Sequence, residues 1–522
     1  MEAITLKRYI PVGLMSLGVA NTLAYSPFQN WWLPFVTLFF LIAAITSANT
    51  AKQAARYGFY YGLGWFGAGI SWVHVAIADF GGLPLIASVF LMALLVGYLA
   101  LFPALASWLT FKNLKRFQLW GFPAFWLIAE FLRAILLTGF PWLSLGYSQL
   151  EGPFRSLAPI VGEFGLQAVV AVMAVSVYQF ISKARQALGR KIDGLAITLI
   201  IFILGLSIYS TQKDWTGELK RTVRLALVQG NIEQSIKWQP ENELPTMEKY
   251  LSMSTDFFSQ HDLIIWPEAA IPRLEILAND YLREVDKLAA ETNTALVTGI
   301  VDYQPETNLA YNNIIVLGKK RADDQFGHYS YLHNNRFNKH HLLPIGEFVP
   351  FESVLRKLGP IFDLPMSSFS RGYYQQDNLI AQGLKISPAI CFEIAFSEQV
   401  RDNLYDNSDI ILTVSNDAWF GASHGPWQHL QIAQMRALEF AKPVVRVTNN
   451  GITAIIDQNG EIISLLPQFK AAVLSHKLDI YESNTIYREF GNSIAWFGVI
   501  LILLLSLIAQ RLQPTSLLSK QS

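Results

Sequence analysis

The sequence predicts two kinds of structure in one chain, an α-helical membrane bundle and a layered α/β domain. Hydrophobic residues make up 52% of the chain and charged residues 15%, whereas soluble domains average about 25% charged residues. Long apolar stretches follow one another as far as Tyr209. Beyond them, short runs of β-favouring residues alternate with helical patterns, which is typical of a layered α/β domain.

The apolar stretches predict about eight membrane-crossing helices, all but the last of them before the polar segment. The predicted crossings are residues 10–24, 31–48, 60–78, 83–111, 119–137, 157–181, 195–210 and 494–510. A crossing helix needs about 20 apolar residues, and the first and seventh stretches are short. The first could be a cleavable signal peptide, but further stretches follow it closely and no clear cleavage site stands out.

The distribution of basic residues predicts the orientation. With a cytoplasmic N-terminus, the connections on that side contain Lys7, Arg8, Lys52, Arg56, Lys112, Lys115, Arg116, Lys183, Arg185, Arg190, Lys191, Arg511 and Lys520. The short connections on the other side offer little beyond Arg155. Because basic loops favour the cytoplasm, we predict a transmembrane region of about seven spans at 1–210, an extracytoplasmic domain at 211–488, and a transmembrane helix with a cytoplasmic tail at 489–522.

The polar segment is long enough, at about 270 to 280 residues, for one substantial core. Its predicted strands are residues 223–229, 263–266, 295–299, 313–317, 384–390, 410–414, 444–448, 453–456 and 471–477. Its predicted helices are residues 248–259, 281–291, 397–405 and 427–440. Acidic and basic residues number 40 each, so no net charge favours nucleic acid as a partner.

Cys391 is the only cysteine in the chain, which excludes an intrachain disulfide. A β-favouring run at residues 384–390 leads into it, and a helical pattern begins at Ile394. A nucleophile is exposed in this way at the end of a strand. The alternative is a small buried hydrophobic residue, which is a common role for a lone cysteine.

Two other polar side chains in this segment could act with such a thiol. Glu268 follows the apolar run at residues 263–265, and Lys339 lies in a polar and aromatic loop. A carboxylate can take the thiol proton, and an ammonium can stabilise the oxyanion of a tetrahedral intermediate. Taken singly, each residue would more often be a solvated surface charge.

These stretches together resemble the nitrilase, or carbon-nitrogen hydrolase, superfamily, whose signature is a Glu-Lys-Cys triad on an α-β-β-α sandwich. The resemblance covers residues 223–477. Its motifs stand at Gln229-Gly-Asn231, Trp266-Pro-Glu268, Lys339, Gly346-Glu347, Cys391-Phe-Glu393, Ser415-Asn-Asp417 and Arg436-Ala-Leu-Glu439. With the flanking spans, the whole chain is similar to the apolipoprotein N-acyltransferase family of the bacterial inner membrane, which makes residues 211–488 a catalytic domain on the periplasmic side.

The resemblance implies a two-step acyl transfer without a cofactor. Cys391 would attack an ester of a phospholipid, typically phosphatidylethanolamine, and become an S-acyl enzyme. The amine of the diacylglyceryl-cysteine at the N-terminus of an apolipoprotein would then accept the acyl group. By position, Glu268 is the general base, Lys339 stabilises the intermediate and Cys391 is the nucleophile.

The resemblance also implies supporting residues. Glu347 and Glu393 correspond to acidic residues that orient the lysine or assist proton transfer, and Trp238 matches a position linked to substrate binding. The residue after the nucleophile is often tyrosine in the family, whereas this chain has Phe392. We expect the aromatic ring of Phe392, rather than a hydroxyl, to be the operative feature.

Two features have open alternatives. The apolar-rich segment at residues 348–369 is predicted, with Trp419 and Phe420, to contain a mobile lid that enters the lipid interface, or else to be an ordinary packed insertion. Glu130 and Arg133 lie three residues apart on one face of a predicted crossing. They form either a structural ion pair or a contact with a lipid headgroup during substrate binding.

Two other functions compete with acyl transfer to an amine. A membrane-anchored amidase or nitrilase would pass the acyl group to water, and the three predicted catalytic residues do not distinguish it. A transporter would show polar residues along a pathway and often two similar halves, and neither is evident. No metal site is predicted, because the histidines lack partners at ligand spacing, and no nucleotide is expected.

Overall fold

A computed structural model describes residues 2–80, 84–186, 194–344, 346–348 and 368–511 of the 522 residues. The chain divides into two compact units. The first unit comprises Met1–Ser71, Phe90–Lys213 and Glu489–Ser522, and the second comprises Trp72–Val89 and Asp214–Arg488.

The helices and strands are numbered here in chain order. The helices are α1 (Glu2–Asn21), α2 (Leu33–Ser47), α3 (Ala51–Gly69), α4 (Leu85–Lys112), α5 (Gly121–Ile135), α6 (Ala158–Gln186), α7 (Gly194–Gln212), α8 (Pro240–Ser254), α9 (Asn279–Glu291), α10 (Ser397–Asp402), α11 (Gly425–Phe440), α12 (Ile486–Phe490) and α13 (Ser493–Arg511). The strands are β1 (Thr216–Gln229), β2 (Leu263–Ile265), β3 (Ile271–Leu274), β4 (Ala295–Gln304), β5 (Leu309–Gly318), β6 (Arg336–Asn338), β7 (Leu379–Ala381), β8 (Leu384–Ile390), β9 (Ile410–Ser415), β10 (Val444–Thr448), β11 (Ala454–Ile456), β12 (Ile462–Leu465) and β13 (Ala472–Ser483).

The first unit is built from apolar helices. Among the described residues, 4 helical stretches have the length and composition to cross a membrane: Leu85–Lys112, Leu114–Thr138, Arg155–Ser182 and Gly194–Gln212. Shorter apolar helices occupy Tyr9–Ala24, Leu33–Ser47 and Ser493–Ile508. Apolar sequence favours helix here because a helix satisfies its backbone polar groups internally, as a membrane requires.

The predicted bounds of the third crossing, residues 60–78, are wrong. Helix α3 begins at Ala51, where the Thr50 hydroxyl accepts a hydrogen bond from the Gln53 N–H at 3.2 Å, and it ends at Gly69. The polar first turn hid this start, since hydropathy reports apolar length and not helix caps. The residues that follow, Trp72–Val89, belong to the second unit.

The second unit is a sandwich of two sheets. The strand order of the first sheet is β13-β1-β2-β4-β5-β6, with β3 paired to β4, and that of the second is β12-β11-β10-β9-β8-β7. Alternate residues of β1 face opposite sides, as the period of a strand requires. Leu225 and Leu227 pack into the core between the sheets with Ile386 and Ile410, whereas Ala226 and Val228 pack with residues of α8 and α9.

Candidate active site

Cys391 directly follows β8 and opens a helical turn, Cys391–Ala395. Its φ is +54°, a left-handed conformation that costs a non-glycine residue about 1–2 kcal/mol. Strands β8 and β9 are parallel with Ile390 opposite Val414, so Cys391 leaves the sheet beside Ser415. The turn therefore brings the sulfur out at the end of the strand, where the residue is half-buried.

Glu268 and Lys339 meet at the strand ends of the first sheet. The Lys339 Nζ atom lies 3.6 Å from Glu268 Oε1. Lys339 follows β6, and its backbone N–H donates to the Asn312 carbonyl of β5 at 2.8 Å. The Asn312 side-chain amide donates to Glu268 Oε1 and to Glu347 Oε1, each at 2.8 Å. Asn312 thus joins the two carboxylates that face the lysine.

Glu347 makes the shortest ion pair with Lys339. Lys339 Nζ lies 2.8 Å from Glu347 Oε2 and 2.9 Å from Oε1, and the Leu343 N–H donates to Oε2 at 2.8 Å. Burial alone would lower the pKa of Lys339, which is 1% exposed, but Glu347 and Glu268 outweigh burial and hold that pKa above its ordinary value. The lysine therefore remains an ammonium at neutral pH.

A backbone hydrogen bond ties Glu268 to the sheet that carries the cysteine. Asn416 follows β9, and its N–H donates to Glu268 Oε2 at 2.9 Å. On the other side, Lys237 Nζ donates to the Glu268 carbonyl at 3.2 Å. The carboxylate is consequently held in one orientation by groups from both sheets.

The charges around Cys391 act on its thiol in opposite directions. Burial and then the Glu268 carboxylate raise the pKa of Cys391, and the Lys339 ammonium lowers it. The net effect is a raised pKa. The resting sulfur is therefore a protonated thiol at neutral pH, and it becomes a strong nucleophile only when its proton is taken.

Glu393 contacts backbone groups rather than the Lys339 ammonium. Its Oε1 accepts from the N–H groups of His340 at 2.8 Å and His341 at 3.0 Å, and its Oε2 accepts from the Ile390 N–H at 2.8 Å. Burial raises the pKa of Glu393 against these hydrogen bonds. The side chain links the segment after Lys339 to the strand before Cys391, which is how it would orient the lysine.

The predicted substrate-binding aromatics lie in different environments. Trp238 is 37% exposed, with its ring 5.8 Å from Lys237 Nζ. Phe392 is buried and packs against Phe396 at 5.1 Å between ring centroids. Trp419 is half-buried in the turn Asp417–Phe420. The structure therefore leaves Trp238 the most accessible of the three, and their substrate contacts stay predictions.

Glu130 and Arg133 belong to the first unit, within α5. Both are buried, and Arg133 Nε donates to Glu130 Oε1 at 3.1 Å. The Arg133 Nη1 group also donates to the carbonyls of Phe140 and, at 2.8 Å, Trp142. These contacts favour the structural ion pair, because most donors of the guanidinium are used within the protein. Contact with a lipid headgroup stays a prediction.

Most of the predicted lid, residues 349–367, lies outside the described residues. The two ends of the segment are described and lie together. Phe348 pairs with Ser368 in an antiparallel bridge, and the Phe369 N–H donates to the Glu347 carbonyl at 2.9 Å. The two described ends of the segment therefore lie next to Glu347.

Several residues of the site were not predicted. Asn312 lies next to Asn313 in β5, just before the apolar run at residues 314–317, and two adjacent asparagines beside such a run were the available signal. His429, Asp417 and Arg446 form a buried cluster in contact with Cys391, although only Asp417 lay in a recognised motif. Within the described ranges, no group of three or more His, Cys, Asp or Glu side chains could hold a metal ion.

Comparison with known families identifies the type of domain that the second unit forms. Residues 224–486 match the family model for Carbon-nitrogen hydrolase, so the part of the chain that holds Glu268, Lys339 and Cys391 is a carbon-nitrogen hydrolase domain. Residues 17–176 match the model for Apolipoprotein N-acyltransferase N-terminal domain.

Full-length relatives extend this result to the whole chain. A protein of Vibrio parahaemolyticus named Apolipoprotein N-acyltransferase is 44% identical over 503 residues, which cover 95% of this chain and 96% of the relative. A Shewanella oneidensis protein of the same name is 45% identical over 486 residues, covering 91% of each chain. The chain belongs to the apolipoprotein N-acyltransferase family. Among solved structures, the yeast nitrilase-superfamily protein Nit3 aligns with 51% of this chain and 93% of its own at 16% identity and a TM-score of 0.37.

Proposed function

We propose that this chain transfers a fatty acyl group from a membrane phospholipid to the N-terminal amine of the diacylglyceryl-cysteine of apolipoproteins, the last step of lipoprotein maturation. The observation that carries the proposal is a carbon-nitrogen hydrolase domain with a strand-end cysteine in a chain of this family. The lipid substrates explain why such a domain is joined to apolar helices, since each methylene taken from the bilayer into water costs about 0.8 kcal/mol.

The first half of the reaction forms an S-acyl enzyme. Glu268 takes the proton from the Cys391 thiol as the sulfur attacks the ester carbonyl carbon of the phospholipid. The Lys339 ammonium stabilises the oxyanion of the tetrahedral intermediate. When the intermediate collapses, the C–O bond breaks and the departing lysophospholipid oxygen receives the proton from Glu268. A positioned base of this kind contributes a factor of about 10² to 10⁴ in rate.

The second half transfers the acyl group to nitrogen. The acceptor amine attacks the thioester carbonyl, Glu268 takes the proton that the nitrogen loses, and the C–S bond breaks. Cys391 regains its proton, so the enzyme returns to its starting state. Glu347 keeps Lys339 in place through both halves by its direct ion pair.

The arrangement in the membrane is part of the same proposal. We place the N-terminus in the cytoplasm, about eight crossings in the bacterial inner membrane, and the catalytic domain at residues 211–488 on the periplasmic side. The donor is proposed to be phosphatidylethanolamine. Trp238, Phe392 and Trp419 are assigned to the lipid substrates, of which Trp238 has the exposed surface that this role requires.

Mass spectrometry of the purified protein tests the reaction. Incubation with phospholipid should add a palmitoyl-sized group to Cys391, and a diacylglyceryl lipopeptide should discharge it and gain the same mass. The Cys391→Ser variant should show no adduct. Discharge by water alone, with free fatty acid as the product, would support a hydrolase instead. Absence of any adduct on Cys391 during turnover would exclude the proposed nucleophile.

A further inference from the structure

Behind the nucleophile lies a buried cluster of polar side chains that the proposed reaction does not use. His429 and Arg446 are each 0% exposed and Asp417 is 2% exposed. The Arg446 guanidinium pairs with Asp417 Oδ2, and His429 Nδ1 lies 3.3 Å from Asp417 Oδ1. Three ionisable groups so deeply buried are expensive to maintain, and breaking their pairing would leave an uncompensated charge in the interior.

The cluster reaches the nucleophile itself. His429 Nε2 lies 3.0 Å from the Cys391 carbonyl oxygen. A carbonyl can only accept, so Nε2 carries the proton and donates it. Ser415, at the end of β9 beside Cys391, donates its hydroxyl proton to Asp417 Oδ1 at 2.6 Å. The cluster therefore bonds the Cys391 carbonyl through His429 and the neighbouring strand end through Ser415.

The surroundings of His429 determine the protonation state of its ring. Burial and the Arg446 guanidinium lower the pKa of His429, although Asp417 opposes them. The ring is consequently neutral at neutral pH, and its Nδ1 accepts from Arg446 Nη2 at 3.2 Å. Arg446 in turn donates from Nε to the Ile452 carbonyl at 3.2 Å. His429 is thus fixed at both nitrogens.

We propose that His429, held by Arg446, which in turn pairs with Asp417, is a positioning residue that keeps the left-handed turn at Cys391 in the conformation that aims the sulfur at Glu268 and Lys339. A residue in that conformation persists when its surroundings over-determine it. On the preceding side of the turn, Glu393 accepts from the Ile390 N–H; on the following side, His429 donates to the Cys391 carbonyl. The inference rests on the proposed role of Cys391 as the nucleophile.

The packing around the cluster supports a fixed geometry. A side chain at Gly451 would place its Cβ 2.3 Å from Asp417 Oδ2, so only glycine allows the backbone to close over the carboxylate. The Phe420 ring packs against the His429 ring at 6.0 Å between centroids. Gly451 thus packs against Asp417, and Phe420 packs against the His429 ring.

Single-turnover acylation of the full-length protein in detergent tests the proposal. His429→Ala should slow formation of the S-acyl enzyme about 100-fold at saturating phospholipid, since a misplaced reacting group costs roughly that factor, while the KM for phospholipid changes little. His429→Gln retains an N–H donor and should recover about tenfold of the loss. His261→Ala is the matched control, because His261 is 9% exposed and bonds Ser475 at 2.7 Å, remote from Cys391.

Alkylation by iodoacetamide gives a second readout that needs no lipid, and the chain has only 1 cysteine. If the turn relaxes in His429→Ala, the thiol loses burial, and the midpoint of alkylation against pH should move down toward the ordinary thiol range near about 8.5. His429→Gln and His261→Ala should keep the wild-type midpoint. If the wild-type enzyme forms no acyl adduct, that result refutes the proposed function alone. The alkylation measurement then still tests whether His429 positions Cys391.

Two results would overturn the positioning role. One is a His429→Ala variant whose acylation rate and alkylation midpoint both equal those of the wild type. The other is a loss that His429→Gln does not restore, or that His261→Ala shares, since general packing would then explain it. If His429→Ala gives no cooperative melting transition, Asp417→Asn carries the test. That variant keeps the volume of the carboxylate, and we expect acylation about three- to tenfold slower than wild type; an unchanged rate would reject the role.

Discussion

At the scale of single residues, the two carboxylates that face Lys339 differ in how closely they pair with it. Glu347 pairs directly with Lys339 at 2.8 Å, whereas Glu268 lies 3.6 Å from the same nitrogen. Glu268 is therefore the carboxylate that pairs less closely with the lysine, which supports its proposed role as the general base. The Cys391 thiol, whose pKa is raised by burial and by Glu268, stays protonated until substrate arrives.

Replacing the base should separate the acidity of the thiol from its catalytic use. In Glu268→Gln a negative charge that raises the pKa of Cys391 is removed, so that pKa should fall. The midpoint of iodoacetamide alkylation against pH should move down accordingly. The rate of S-acylation should nevertheless fall by about 100-fold or more, because no group remains to take the thiol proton.

Glu291→Gln provides the control for this measurement. The side chain of Glu291 is 65% exposed in a loose pair with Lys287 at 3.7 Å, so neither the midpoint nor the acylation rate should change. An alkylation midpoint that rises or stays constant in Glu268→Gln would contradict the electrostatic effect assigned to Glu268.

At the scale of elements, the residues of the candidate site follow the ends of strands, and the pairing of neighbouring strands brings those ends together. Lys339 and Cys391 directly follow β6 and β8, and Glu268 comes shortly after β2. The turn at Glu268 includes Ala269 with a φ of +46°, and the backbone of β4 passes close to it at Gly299. A Cβ on Gly299 would lie 2.5 Å from the Ala269 N atom and 2.8 Å from the Glu268 Cα. The position of the base therefore depends on a glycine in the neighbouring strand.

Gly299→Ala should displace the turn and impair catalysis more than stability. We expect a destabilisation of about 1–3 kcal/mol from overpacking and a fall in acyl transfer of about 100-fold from the misplaced carboxylate. Thermal melting in detergent and the single-turnover assay measure the two effects. Gly217→Ala in β1 is the control, since its nearest neighbour is a side-chain atom of Glu482 at 3.2 Å. Full activity in Gly299→Ala would show that the base tolerates this displacement.

At the scale of the whole molecule, a chain with as many acidic as basic residues, 40 each, still predicts an orientation, because the basic residues lie in alternate connections between apolar helices. Basic connections stay in the cytoplasm. The catalytic domain would then lie outside, where lipids of the outer leaflet and exported apolipoproteins are available. The orientation across the membrane is thus a prediction from the distribution of basic residues.

Site-directed labelling in spheroplasts tests the orientation. In a Cys391→Ser background, Tyr373→Cys should react with a membrane-impermeant maleimide, since Tyr373 is 85% exposed in the catalytic domain. Lys52→Cys, in a connection predicted to be cytoplasmic, should react only after permeabilisation. Reaction of Lys52→Cys in intact spheroplasts, with Tyr373→Cys protected, would reverse the proposed topology.

Much of the fold was predictable because local patterns encode local structure. The predicted strands at residues 384–390 and 444–448 agree with β8 and β10, and the helix predicted at 427–440 with most of α11. Among the strands of three or four residues, β2 and β11 were predicted, whereas β3, β6, β7 and β12 were missed; β3 and β6 each contain an arginine, which interrupts the apolar pattern. The start of α3 was missed because its first turn is polar.

The sequence by itself determined the membrane character of the chain, the layered α/β class of the polar segment, and the residue types that suit acyl transfer. Only the tertiary structure decided which groups hold those residues in position. The Asn416 N–H reaches Glu268 across 148 positions, and His429 reaches the Cys391 carbonyl across 38. Such contacts arise from the packing of two sheets and of the helix over one of them. They could not be predicted, because the neighbours of a residue along the chain carry no information about partners that only folding brings within hydrogen-bond distance.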